Sequence, residues 1–243
     1  MTLLVLKFHR ARADGPNGSS PEIIERVFAH VARHGHCVLP GQPLDTRRIN
    51  VCLTFDDAYY DFHHTVLPLL KKHGVKALLG VPAGLCPERT DYTPAERLDL
   101  LDKFEMPYRP FASYCTWEEL GELQRSGRVA FAAHGMEHHA LDSADVDLRR
   151  EVVEPKQVLQ QRLGIAPESY VFPYGRTTRR VLRYVREHYR YALADGQATN
   201  RGWDAALLYR VPVSRFSDPI EIFTTARLRE FRWRRIWNQF SPN

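Results

Sequence analysis

Residues 51–58 read Val51-Cys52-Leu53-Thr54-Phe55-Asp56-Asp57-Ala58, a short apolar run that stops on two adjacent carboxylates. Five to seven apolar residues bounded by polar ones are the signature of a buried strand. A helical pattern follows from about 61 to 73 and is stopped by Gly74. Upstream, Leu3 to Phe8 is a second buried strand, and a Gly/Asn/Ser stretch leads to Ser20-Pro21, a good helix start. Ile23, Ile24, Val27, Phe28 and Val31 then recur at helical spacing. Downstream, strands are expected at 75–81, 129–133, 170–172, 191–194 and 208–213. Helices are expected from the Thr116-Trp117-Glu118-Glu119 capping box to near Gly127, over 145–163 with a bend at Pro155, over 177–188, and through most of 219–240. Residues 84–115, with several prolines, read as an irregular excursion.

About seven short strands separated by helical connections predict an α/β fold with a mostly parallel sheet. A barrel or half-barrel of β/α units is the expected architecture. The doubly wound open sheet is the alternative, and no GxGxxG after the first strand supports a dinucleotide version. No internal repeat, low-complexity tract or linker divides the chain, so residues 1–243 are expected to form one domain, with 216–243 as a basic amphipathic helix and tail.

The 243 residues are 44% apolar and 26% charged, which excludes disorder and collagen-like repeats. No apolar run approaches the roughly 18 residues a membrane-spanning helix needs. The first strand is too short, and its basic residues are on the wrong side, for a secretion signal, so a cytoplasmic protein is expected. Lys and Arg outnumber Asp and Glu by 34 to 29, an excess too mild to imply nucleic acid. Cys37, Cys52, Cys86 and Cys115 show no CxxC spacing and are expected to be reduced, packed thiols.

The polar residues carry the functional signal through their position. Four of these strands end on reactive groups: His9, the Asp56-Asp57 pair, His134, and the Pro173-Tyr174-Gly175 turn. In a parallel α/β scaffold the carboxyl ends of all strands share one face, so these groups converge. Two adjacent carboxylates at a buried strand end repel each other, and a bound cation resolves the conflict. His134 and His138 are spaced to offer two imidazoles to one ion if the backbone turns helically after Gly135, and His139 is the alternative to His138. One Asp and two His leave coordination positions open for water, and the second Asp can take its proton.

LTFDDA (53–58), AHGMEHHAL (133–141) and FPYG (172–175) resemble three motifs of the NodB-type polysaccharide deacetylases, carbohydrate esterase family four. The resemblance implies a distorted (β/α) barrel that hydrolyses N-acetyl or O-acetyl groups on sugars with a divalent metal, usually zinc. It implies Asp56 as catalytic base, Asp57, His134 and His138 as metal ligands with Leu141 completing the second motif, and the Tyr174 amide as oxyanion donor. LKFHR (6–10) is similar to the opening of poly-N-acetylglucosamine deacetylases and implies His9 as the general acid. Two departures stand out. Val171 occupies the position of an arginine that often orients the base, and no histidine follows His188, so the usual C-terminal proton donor is missing.

Each group also has a plain structural use. The Asp pair would cap a helix, His134 would be a core histidine, and the PYG segment would be only a turn. His63 and His64 read as helix-face residues, and Asp195 either orients a site group or sits in a turn. Arg210 has no derivable role. The tail ARLREFRWRRIWNQF (226–240) reads first as an outer helix packing its Trp face. Its second reading is a helix on an anionic membrane surface, suited to a lipid-linked glycan. The expected function is removal of an acetyl group from an N-acetylated sugar or glycan precursor by a metal-dependent hydrolase, with zinc favoured over cobalt, nickel or iron. The alternatives are hydrolysis of another C–N or ester bond, such as deformylation or cyclic-amide opening, and non-catalytic glycan binding.

Overall fold

The computed structural model describes residues 1–12, 18–103 and 110–240. Strand β1 (Leu3–Phe8) lies parallel to β3 (Ile49–Phe55) along its whole length, from Leu3 opposite Asn50 to Phe8 opposite Phe55. From β3 the sheet runs through β4 (Ala77–Val81), β5 (Val129–Ala133), β6 (Ser169–Val171), β7 (Tyr191–Asp195) and β8 (Leu208–Pro212). Strand β8 then pairs back onto β1 through Leu6–Val211 and Lys7–Pro212, closing a ring of seven parallel strands. The expected distorted barrel is therefore formed, and the open doubly wound sheet is not. The distortion is localised at the seam between β5 and β6, where the register consists of one pair, Ala133–Tyr170. A short strand absent from the sequence-based expectation, β2 (Gly35–Cys37), adds to the start of β3 outside the ring.

Side chains alternate inward and outward along each strand. Inward positions at the lower end are apolar: Leu3, Val5, Cys52, Leu78, Ala132, Val171, Leu193 and Leu208 form one cluster, with Trp203 packed against it. Outward positions pack on the helices in a second, larger core, where Phe8, Phe28, Phe55 and Phe62 meet with neighbouring ring centroids 4.7–6.4 Å apart. Continuing the inward parity upward reaches Lys7 and His9, Thr54 and Asp56, His134, Asp195 and Arg210. The interior thus changes from apolar to polar toward the carboxyl ends of the strands.

The helices begin and end where their local chemistry dictates. Helix α1 (Pro21–His34) has Pro21 in its first turn, and the Ser20 hydroxyl accepts from the Ile23 amide. Helix α2 (Leu67–His73) stops at Gly74, whose φ of +67° lies in the left-handed region. In the stretch expected to be irregular a helix forms, α3 (Pro94–Lys103). Its buried residues are Arg97 and Leu101, so no apolar period announced it. The Arg97 guanidinium holds it in place, donating to the carbonyls of Ala112 and Tyr114 and to Glu119. Residues 104–109 of that stretch lie outside the described residues, as does most of the Gly/Asn/Ser segment at 13–17.

Helix α4 (Trp117–Arg125) opens with the expected capping box between Thr116 and Glu119. Helix α5 (Glu154–Leu163) follows a widened turn at Arg149–Val153. Pro155 has no N–H and its ring displaces the carbonyl four residues back, that of Glu151. The Tyr170 hydroxyl donates to this freed carbonyl at 3.0 Å. Helices α6 (Arg179–His188) and α7 (Thr225–Phe240) complete the set. In α7 the expectation of a packed Trp face is overturned. Phe231 is the buried residue, against Phe216, while Trp233 and Trp237 are 66% and 69% exposed. The Phe240 side chain lies outside the described residues.

Phe28 is fully buried between α1 and the strands, so Phe28→Ala is expected to cost about 3–5 kcal/mol. Chemical denaturation with an unchanged m-value and a lower midpoint is the outcome that checks it.

Candidate active and metal site

Strand β3 delivers the Asp pair. The Asp56 amide donates to Phe8 O at 3.0 Å, so Asp56 stays in the sheet pattern and points inward. Asp57 and Ala58 then take φ values of +73° and +49°. Two successive left-handed non-glycine residues are strained, and such strain persists only when neighbours enforce it. Here Cys115 N donates to Ala58 O at 2.8 Å, and the Asp61 carboxylate accepts from Ala11 N at 2.7 Å. The turn swings Asp57 back over the barrel mouth.

Asp57 Oδ1 lies 3.3 Å from His134 Nε2 and 3.2 Å from His138 Nε2, and all three residues are buried. His134 Nδ1 is 2.8 Å from Val171 O. A carbonyl only accepts, so Nδ1 carries the proton and Nε2 presents a lone pair. Two acceptors, Asp57 Oδ1 and His134 Nε2, therefore face each other with no hydrogen-bond partner. A cation between them removes that conflict, and one carboxylate with two imidazoles is a donor set divalent transition metals accept. These residues fit a resident metal.

The route by which His138 arrives differs from expectation. The backbone does not turn helically after Gly135. Gly135 and His138 adopt φ of +83° and +60° in an irregular loop. Ala83 N and Gly84 N donate to the carbonyls of Gly135 and Met136. From the other side, the buried Glu151 carboxylate accepts from Met136 N at 3.0 Å and Glu137 N at 3.2 Å. A Cβ at Gly135 would sit 2.4 Å from Glu151 Oε2, so only glycine fits there. His139 points away, exposed, with Nδ1 3.3 Å from Glu151. Of the two candidate histidines, His138 is the one beside Asp57.

Asp56 is buried, and His9 Nε2 lies 3.6 Å from its Oδ2. Its other oxygen is bound at 2.6 Å by Arg210, a fully buried guanidinium from β8. Burial pushes the Asp56 carboxyl up, but Arg210, His134 and His9 together outweigh it and hold it at about 2. Burial likewise opposes ionisation of Asp57, and His138 and His134 more than compensate. His9 is lowered, chiefly by burial against the pull of Asp56 and Asp57. Val171 is indeed no partner for Asp56, yet Asp56 does not lack one, since Arg210 supplies the guanidinium from a different strand. Arg210 also reaches Asp195 at 3.4 Å, and Lys7 donates to the other Asp195 oxygen. Asp195 thus orients a site group and is not a mere turn residue.

Tyr174 has φ +57°, and its ring packs edge-on against His138 at 4.7 Å. Gly175 allows this turn to rest on Asp195, since a Cβ there would lie 2.3 Å from Asp195 Cγ. Leu141 is buried in the helix-facing core. His63 engages Glu122 at 2.7 Å and His64 faces the Tyr60 hydroxyl, as helix-face residues do. All four cysteines are free thiols. The sequence reading missed Arg210, Lys7 and Glu151. The signal available for the first two was a lone cation at an inward-parity position of an otherwise apolar strand.

Residues 44–192 match the family model described as Polysaccharide deacetylase. Among curated proteins, none matches the chain. Among solved structures, the chain is similar to IcaB from Ammonifex degensii, at 20% identity over 87% of this chain and 91% of that one, with a TM-score of 0.69. A de-N-acetylase from Aggregatibacter actinomycetemcomitans aligns with a TM-score of 0.72 at 16% identity, over 95% of this chain and 100% of that one. The Streptococcus pyogenes deacetylase PplD, solved in complex with acetate, gives 0.69 at 19% identity over 95% and 98%. At these identities the likeness is one of fold.

Removing Arg210 leaves the buried Asp56 charge without its nearest partner. Arg210→Met is expected to cost about 3–5 kcal/mol, and Asp56→Asn added to it to restore part of that loss. A double-mutant cycle by denaturant unfolding, with strictly additive effects as the contrary outcome, tests the pairing.

Proposed function

This chain belongs to the polysaccharide deacetylase family, and on that premise we propose that residues 1–243 act as one catalytic domain that removes the N-acetyl group of a sugar, with a divalent cation held by Asp57, His134 and His138. The reading rests above all on the opposed lone pairs of Asp57 Oδ1 and His134 Nε2, a buried arrangement that makes sense around a cation. Bound there, the cation acts as a Lewis acid toward a carbonyl and makes water easier to deprotonate. Zinc suits this donor set best, with cobalt, nickel and iron as the competitors.

The chain's own groups divide the remaining work. Asp56, kept ionised by Arg210, takes the proton of the attacking water. Arg210 fixes the direction of that carboxylate through its bond to one oxygen, leaving the other free for the proton. The Tyr174 amide, on a left-handed turn against His138, donates to the oxyanion that forms on the acetyl carbonyl. His9, 3.6 Å across from Asp56, takes over the proton that Asp56 removed from the water and passes it to the departing amine. Acetate and a free amino sugar are the products.

A second element of the reading concerns α7. Trp233, Ile236 and Trp237 are exposed on one face, with Arg229 and Arg232 exposed beside them. Aromatic and aliphatic groups flanked by arginines suit the interface of an anionic membrane. Among the described residues no helix is long and apolar enough to cross one. Flotation with vesicles containing anionic phospholipid is expected to carry the wild type and to leave Trp233→Ser/Trp237→Ser behind. Equal behaviour of the two proteins would remove this element.

The central test pairs metal analysis with product analysis on N-acetylated glycans. Wild type is expected to hold about one divalent ion and to release acetate. Asp57→Asn should lose the metal and the activity together. Asp56→Asn should keep the metal and lose about 10²–10⁴-fold in kcat. Formate or a ring-opened acid in place of acetate would point to the other amide chemistries. A metal-free wild type with intact glycan affinity would favour a binding protein.

A further inference from the structure

The connection from β7 to β8, residues 196–207, crosses the outer wall of the barrel with no helix of its own. Between α6 and α7 this leaves a cleft of about 450 Å³. Three guanidinium groups line it: Arg179 from the start of α6, Arg201 from the crossover, and Arg235 from the inward side of α7. Among the described residues none of the three has a carboxylate within ion-pair distance or a hydrogen-bond partner. The only carboxylate in the lining is Asp195, and both its oxygens are already committed to Lys7 and Arg210.

Arg179 and Arg201 are exposed, so this positive charge is solvated and not paired among the described residues. Helix α6 begins at Thr178 with no acidic residue in its first turn and with Arg179 and Arg180 at its positive pole. Arg235 is half-buried, and burial together with Arg201 and Arg232 works against its charge. Like charges brought together around a concavity, at a helix N-terminus, call for a bound anion. The rest of the lining combines the polar Thr177, Thr178, Asn200 and Asn238 with an apolar floor that includes Leu182 and Leu207. The cleft also reaches the catalytic end of the barrel. Gly175 and Asp195 line it, and Asp195 shares Arg210 with Asp56.

We propose that this cleft binds a phosphate or diphosphate group of the substrate, so that the sugar deacetylated is one carried on an organic phosphate. The proposal rests on the hydrolase reading only for the word substrate; the anion site itself does not need it. The guanidinium forks pair with the phosphate oxygens, and the apolar floor takes the group on the far side of the phosphate, whether a nucleoside or an isoprenoid chain.

Titration calorimetry of the full chain with uridine diphosphate, farnesyl diphosphate and glucuronate tests this. One diphosphate is expected to bind, and which of the two binds tighter identifies the carrier. Arg201→Ala/Arg235→Ala should weaken that binding by about tenfold or more. Arg33→Ala, exposed in the last turn of α1 and away from the cleft, should keep both affinity and turnover. Because Arg235 is half-buried, Arg201→Glu repeats the test at an exposed position. No diphosphate binding at millimolar concentration, affinity unchanged in the Arg201 variants, or tighter binding of glucuronate would each overturn the proposal. Acetate release is measured in parallel from N-acetylglucosamine carried on uridine diphosphate, from N-acetylglucosamine carried on an isoprenoid diphosphate, and from neutral N-acetylglucosamine oligomers. A chain that binds diphosphate yet releases no acetate sinks the hydrolase reading and keeps the site. One that releases acetate yet ignores diphosphates does the reverse.

Discussion

Buried negative charge at the mouth of the barrel is the constraint around which the rest is arranged. Asp56, Asp57 and Asp195 stand within one polar layer, closed off from below by an apolar plug of Val5, Cys52, Val171 and Leu193. Left to themselves, the three carboxylates would repel one another, and the two buried ones, Asp56 and Asp57, would be costly to keep ionised. Two are answered by cations from inside the barrel, Arg210 between Asp56 and Asp195 and Lys7 on Asp195. Asp57 is not answered by any fixed cation. It faces two imidazoles, one of which has its proton committed elsewhere. The chemistry of the site follows from that imbalance.

The backbone accommodates the same constraint. Left-handed residues at 57, 58, 135, 138 and 174 cluster around the polar layer. Each costs conformational energy, and each is over-determined by neighbours: Cys115 on Ala58, Glu151 on the Gly135 loop, Asp195 beneath Gly175. Small residues make the room these turns require. Gly175 is the clearest case, since a Cβ there would lie 2.3 Å from Asp195 Cγ, and Gly80, at the inward position of β4, lies in contact range of His134.

What could be read in advance and what could not divide along a physical line. Strands ending on His9, Asp56, His134 and Pro173 were legible because a parallel barrel gathers those ends on one face, whatever the details of its loops. The spacing of His134 and His138 was legible only as a distance along the chain. The helical turn assumed between His134 and His138 is wrong because Glu151, sixteen residues or so downstream, dictates the loop. Arg210 was invisible as a partner of Asp56 because nothing in LYRVPV says which strand stands beside β8. That became apparent only once β8 met β1. Helix α3 escaped because a buried guanidinium, Arg97, anchors it where an apolar stripe would have given it away. In α7 the apolar spacing was real, but Leu228 and Phe231 face the core and the tryptophans face outward.

The origin of Arg210 on the last strand has a consequence for how the chain matures. The aspartates and histidines of the mouth are all synthesised before β8, so a growing chain assembles its acidic groups well ahead of the guanidinium that steadies one of them. Only when the final strand zips onto the first does Asp56 acquire its partner, in the same event that seals the wall. Sealing of the wall and the pairing of Asp56 with Arg210 thereby depend on the same strand.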